Sequence, residues 1–205
     1  MSHVVLSLLR FNAYWLSWNL YLAFVPVVLS ILLFRSRGSR SWLWWIQLLV
    51  FFAFLPNAPY LVTDFIHLTA FFQITNSLPL IFLLVIPVYL LFILAVFEAY
   101  VLSLINLGYY LKQIGRSQWI LRAELFTHVL CAIGIYLGRF QRLNSWYLIT
   151  KPQVLARNMS ELLFSLRPLL IIAVTFVMLS GLYWIMKQVT LKIMLQRETR
   201  NAQGS

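Results

Sequence analysis

Charge is what this sequence has least of. Only 10% of its 205 residues are Asp, Glu, Lys or Arg, and only five of them are acidic. A soluble domain is about half apolar and about a quarter charged. Here 62% of the residues are hydrophobic and the mean hydropathy is +0.85. No soluble fold of this length hides so much apolar surface, so lipid is the solvent. Cysteine is reduced to Cys131, inside an apolar run, which excludes an intramolecular disulfide and cysteine-based metal sites. A nucleophile elbow, a phosphate-binding Gly loop, a haem-attachment motif and a His-rich metal pattern are all missing. The residues therefore assign neither a reaction nor a cofactor.

Acid is scarcer than base. Sixteen Lys and Arg give a net charge of +11. No RNA- or DNA-binding motif accompanies them, which excludes nucleic acid as the partner. Short basic loops are what the positive-inside rule and anionic headgroups select, so the bilayer and its anionic lipids are the expected partners. A membrane-protein partner or a second copy of the chain is compatible with the same composition.

What is present is a series of long apolar runs. At 1.5 Å per residue, about 20 residues cross a ~30 Å hydrocarbon core. That rule predicts an all-α integral membrane protein, one domain over 1–205. Its bundle of about five transmembrane helices covers 13–34, 42–62, 79–106, 119–138 and 168–188. The first run ends in Phe34-Arg35-Ser36-Arg37 rather than a small-residue cleavage site, so it reads as a retained span. Pro56 and Pro59 interrupt the second. Either the helix continues through that break, or a re-entrant or interfacial segment occupies about 57–77. The third run is overlong, with Pro87 as its natural hinge. Residues 154–166 have helical periodicity and suit an interfacial helix, and a basic tail closes the chain.

With the first basic loop inside, ten of the sixteen cations fall on the cytoplasmic side and six outside. This favours a multi-pass protein with its N terminus out and C terminus in. Asp64 and His67 then share a surface with Arg139 and Arg142. Asp64 and His67 are three apart and point the same way in a helix, so the carboxylate can orient an imidazole that acts as acid or base. Arg139 and Arg142 repeat the spacing and suit bidentate capture of phosphate or carboxylate. Asn57 and Asn144 flank the two pairs as further ligand-binding candidates. The duller alternatives are a capping Asp, a headgroup-level His, and arginines that snorkel or pair with Asp64. Glu98, Glu124 and His128 form a second, intramembrane set. Ionisable groups in spans are costly and are functional candidates, proton relays included. Structural Glu98–Arg122 or Glu98–His128 pairs are the alternative.

Leu55-Pro56-Asn57-Ala58-Pro59-Tyr60-Leu61-Val62-Thr63-Asp64-Phe65-Ile66-His67-Leu68 and Tyr136-Leu137-Gly138-Arg139-Phe140-Gln141-Arg142-Leu143-Asn144-Ser145-Trp146 are the two most distinctive segments, joined by Trp18-Asn19-Leu20-Tyr21-Leu22-Ala23. Together they resemble a bacterial multi-pass inner-membrane family catalogued as domain of unknown function 1361. The resemblance covers most of the chain and implies a helical inner-membrane protein without a known activity, cofactor or substrate. Tyr147 stands where that family usually has Asp. Three functions remain open. The first is an extracytoplasmic site for an anionic envelope ligand, a lipid headgroup or phosphorylated precursor, at Asn57, Asp64, His67, Arg139, Arg142 and Asn144. The second is a small proton-linked transporter or channel using Glu98, Glu124 and His128. The third is an accessory or assembly subunit of a larger membrane complex.

Overall fold

A computed structural model of the chain describes residues 2–36, 40–62, 86–141 and 166–203, with isolated positions 79, 82–83, 150 and 153. Side chains are described from Ser17 onwards, Asn19 excepted. The described residues form six α-helices: α1 (Ser2–Phe34), α2 (Trp42–Phe54), α3 (Asn57–Val62), α4 (Ile86–Gln113), α5 (Ile120–Phe140) and α6 (Leu166–Gln203). A 3-10 turn, Ser117–Trp119, leads into α5. There is no strand among the described residues. Among the described residues, four stretches are long and apolar enough to cross a membrane: Trp42–Val62, Ile86–Gln113, Ser117–Phe140 and Leu166–Gln203. Within α1 the apolar part is Leu20–Phe34. The chain divides into two compact units, Met1–Ser103 and Leu104–Ser205.

In the first unit, α1 begins at Ser2 rather than at 13. Val4 to Leu9 contain no Gly or Pro to stop a helix, so it starts well before the uninterrupted apolar run. Pro26 lies inside α1 with its side chain buried. The carbonyls at the end of a helix lack partners within it. Here the Trp44 indole Nε1 donates to the Leu33 carbonyl at 3.1 Å, and the Ser36 hydroxyl donates to the Leu32 carbonyl. The indole bond ties the start of α2 to the end of α1. Behind it the Phe51 ring meets Phe34 edge to face, with centroids 5.3 Å apart. Both rings are almost completely buried.

The proline break resolves as a continued helix. Helix α2 stops at Phe54, and α3 resumes at Asn57 after the Leu55–Pro56 turn. Pro56 and Pro59 have no N–H to donate and crowd the preceding turn. The bonds Leu55 N–H to Phe51 O (2.9 Å) and Tyr60 N–H to Pro56 O (3.0 Å) carry the chain across. The resulting 21-residue stretch, Trp42–Val62, is long enough to span. Residues 63–77 of the expected re-entrant segment lie outside the described residues, as do 154–165 of the expected interfacial helix.

Helix α4 is described from Ile86 and contains Pro87. At its other end α4 runs past 106 to Gln113. It stops because Gly115 adopts φ 72°, a left-handed conformation that an L side chain resists. Arg116 N–H bonds Leu111 O at 2.8 Å and Gly115 N–H bonds Lys112 O at 3.1 Å, the paired bonds of a Schellman motif. Added bulk at Gly115 would meet nothing within 4 Å, so the penalty for a side chain is purely conformational. Gly115→Ala is expected to cost about 1 kcal/mol. An unfolding titration showing no loss would mean that the turn does not depend on this glycine.

In the second unit the Schellman turn leads toward α5, and a Cβ at Gly108 would sit 3.4 Å from Ile120 Cγ2. Helices α5 and α6 pack as an antiparallel pair. Tyr136 and Leu137 of α5 pack with Ile171 and Ile172 near the start of α6, while Glu124 at the other end meets Tyr183 and Lys187. Helix α6 continues to Gln203, so the expected basic tail is helical. Only 11% of the apolar stretch of α6 is buried, which leaves most of it as a face for lipid.

Candidate functional site

Ionisable residues inside spans concentrate on the α5–α6 pair. Glu124, His128 and Cys131 recur at helical spacing along α5 and are all buried. Tyr183 and Lys187 are four apart on α6 and share one face. The antiparallel register brings these faces together. Tyr183 Oη donates to Glu124 Oε1 at 2.8 Å, and Lys187 Nζ donates to the same oxygen at 2.5 Å. One carboxylate oxygen thus receives a phenol and an ammonium. Lys187 Nζ also lies 5.5 Å from the Tyr183 ring centroid, and the His128 ring meets that ring edge-on at 4.7 Å.

The electrostatics follow from burial. Glu124, His128 and Tyr183 are closed off, whereas the Lys187 side chain keeps 22% of its surface exposed. A carboxylate in such surroundings needs a cation and hydrogen-bond donors, and Lys187 and Tyr183 supply both. The long Lys stem lets the ammonium reach Glu124 while staying in touch with water. Chemically, the cluster contains a base, an acid and a phenol in a row that starts at a partly exposed amine. Among the described residues, no group of three or more His, Cys, Asp and Glu could hold a metal ion.

The other expected residues divide into those described and those that are not. Asp64, His67, Arg142 and Asn144 lie outside the described residues. Asn57 is the first residue of α3, half-buried beside buried Ala58 and Pro59. Arg139 is half-buried in the last turn of α5, next to the stacked rings of Tyr136 and Phe140 at 5.1 Å. Glu98 is half-buried on α4 in the first unit, while Glu124 and His128 belong to the second. Arg122 lays its guanidinium over Trp119 at 5.0 Å. Tyr183 and Lys187 are the members that the sequence reading did not select. The available signal was depth: a buried Glu near one end of a span requires a donor at the same level of a neighbouring span, and Lys187 is the cation at that level of the last one.

The helices and their lipid-facing surfaces define a polytopic α-helical membrane protein in contact with the bilayer. The chain belongs to the family described as Protein of unknown function (DUF1361), whose model matches residues 18–180. Glu124 and His128 lie within that match, and Tyr183 and Lys187 just beyond it. Comparisons with curated proteins and with solved structures give no match.

Proposed function

We propose that this membrane protein is a small proton-linked transporter or channel whose proton path begins at the α5–α6 cluster. The observation that carries this reading is the shared oxygen, Glu124 Oε1, bonded at once by buried Tyr183 and partly exposed Lys187. In the proposed sequence the Lys187 ammonium gives a proton to Glu124, and the neutral amine takes a replacement from a hydronium ion at its exposed side. The protonated carboxyl then passes its proton inward toward His128, and the carboxylate returns. No net charge stays on the Lys187–Glu124 pair, and the proton taken from solution is the charge that moves on. With the N terminus out and the C terminus in, the Lys187 end faces the cytoplasm. The setting is the cell's inner membrane.

Liposomes holding the purified protein and a trapped pH dye test this directly. Wild-type protein is expected to dissipate an imposed pH gradient, and Glu124→Gln to lose that activity while still inserting. Wild-type vesicles that leak protons no faster than empty ones would sink the proposal.

A second reading rests on Arg139. Seventeen residues separate it from Arg122 on the one helix, ~26 Å at 1.5 Å per residue, which suits opposite surfaces of the membrane. On that far surface Arg139 would hold the anionic group of an envelope ligand, a lipid headgroup or a phosphorylated precursor. Arg139→Ala is expected to weaken binding of an anionic lipid such as phosphatidylglycerol about tenfold, the usual loss for one charged hydrogen bond. Equal retention of that lipid by both proteins in native mass spectrometry would remove this reading.

A further inference from the structure

A hydroxyl on a helix inside a membrane has a partner in its own backbone, the carbonyl one turn back. Ser30 bonds Val27 O at 2.7 Å, Ser103 bonds Ala99 O at 2.8 Å, and Thr127 bonds Ala123 O at 2.7 Å. Thr175 and Thr190, on α6 itself, bond Ile171 O and Met186 O at 2.8 and 3.0 Å. Ser180 breaks the pattern. Its Oγ is buried, and among the described residues it is the one buried side-chain polar atom without a hydrogen-bond partner. The Phe176 carbonyl lies one turn back on the same continuous helix, yet Ser180 does not use it. Leaving a buried hydroxyl unpaired is costly, so a side chain that forgoes an adjacent acceptor calls for another partner.

The position of Ser180 says what that partner is. It shares the α6 stripe with Tyr183, Lys187 and Thr190, at spacings of three, four and three. Counting along the antiparallel pair from the Glu124–Tyr183 bond toward the Leu137–Ile172 packing sets Ser180 level with Thr127 and His128. We infer that Ser180 Oγ binds a water molecule between α5 and α6, extending the polar row Lys187–Glu124–Tyr183 one turn closer to the bilayer centre. This rests on the proton-path reading and supplies its next station. A buried water needs two to four polar partners. Ser180 is one, the Phe176 carbonyl lies one turn back on α6, and Tyr183, whose ring meets His128 at 4.7 Å, lies just under a turn onward. Such a water takes up a proton on one side and releases another on the opposite side, so it is unchanged by the passage.

The test uses deuterium oxide as the probe. In reconstituted full-length protein with Cys131→Ala, the substitution Ser180→Cys introduces a thiol whose S–H vibration is free of overlap with other protein bands. Its exchange to S–D is expected to outpace that of Val177→Cys, a position on the same helix 66% exposed to the lipid side. Exchange no faster than at Val177 overturns the water site. Ser180→Ala gives an independent answer should the thiol disturb packing. A hydroxyl satisfied by water predicts a lowered Tm on its removal, whereas an orphan predicts an unchanged or raised one, and that result overturns the inference. Rapid exchange in protein that passes no protons would refute the relay and leave the water. Proton flux beside a silent thiol would do the reverse.

Discussion

Lys187→Met is expected to be among the most damaging single substitutions in the second unit, costing about 3–5 kcal/mol by leaving the Glu124 carboxylate buried without its cation. The lower end is favoured, because the Lys187 side chain keeps 22% of its surface exposed and the pair is not fully enclosed. The informative companion is the double variant Glu124→Gln/Lys187→Met. Replacing both members of a buried pair by neutral groups is often neutral or stabilising, and Tyr183 can still donate to a Gln side-chain oxygen. Most of the lost stability should return. Denaturation in bicelles would measure all four corners of the cycle. If the single variant unfolds at the wild-type midpoint, the pair seen between α5 and α6 is not a stabilising contact. If the double variant is stable yet inactive in proton flux, the pair serves function rather than cohesion.

Phe51→Ala should have an effect of similar size in the first unit, about 3–5 kcal/mol, because it empties a fully enclosed site. Helices in lipid gain little from burying apolar surface against each other, since the tails are as apolar as the side chains; close packing is what holds them. Phe51 carries that packing through its edge contact with Phe34 and a second ring, Phe52, at 5.1 Å. Phe51→Leu, which keeps most of the volume, should cost much less. Near-equal midpoints for the Ala and Leu variants would show that lipid or neighbouring side chains fill the site.

The spans could be read from the sequence because hydropathy reports the solvent, and the solvent here is lipid. Helix ends could not be read in the same way. Expected boundaries at 13, 106 and 188 mark where polar residues return, but Lys, Gln and Arg propagate a helix well. Helices α1, α4 and α6 accordingly run on to Ser2, Gln113 and Gln203. What stops α4 is the backbone of Gly115, a signal of conformation rather than of polarity. The site was half visible. Glu124 and His128 announce themselves as ionisable residues one turn apart in an apolar run. Tyr183 resembles an aromatic-belt residue and Lys187 a boundary cation, and only the pairing of α5 with α6 distinguishes them.

Helix α6 has 38 residues and so measures ~57 Å, nearly twice the ~30 Å thickness of the hydrocarbon core. Its first part is clamped to α5 at Ile171, Ile172, Tyr183 and Lys187, and no proline interrupts it from there to Gln203. The free end therefore works as a pointer fixed at its base. A five-degree swing at Lys187 would carry Gln203, sixteen residues on, by roughly 2 Å.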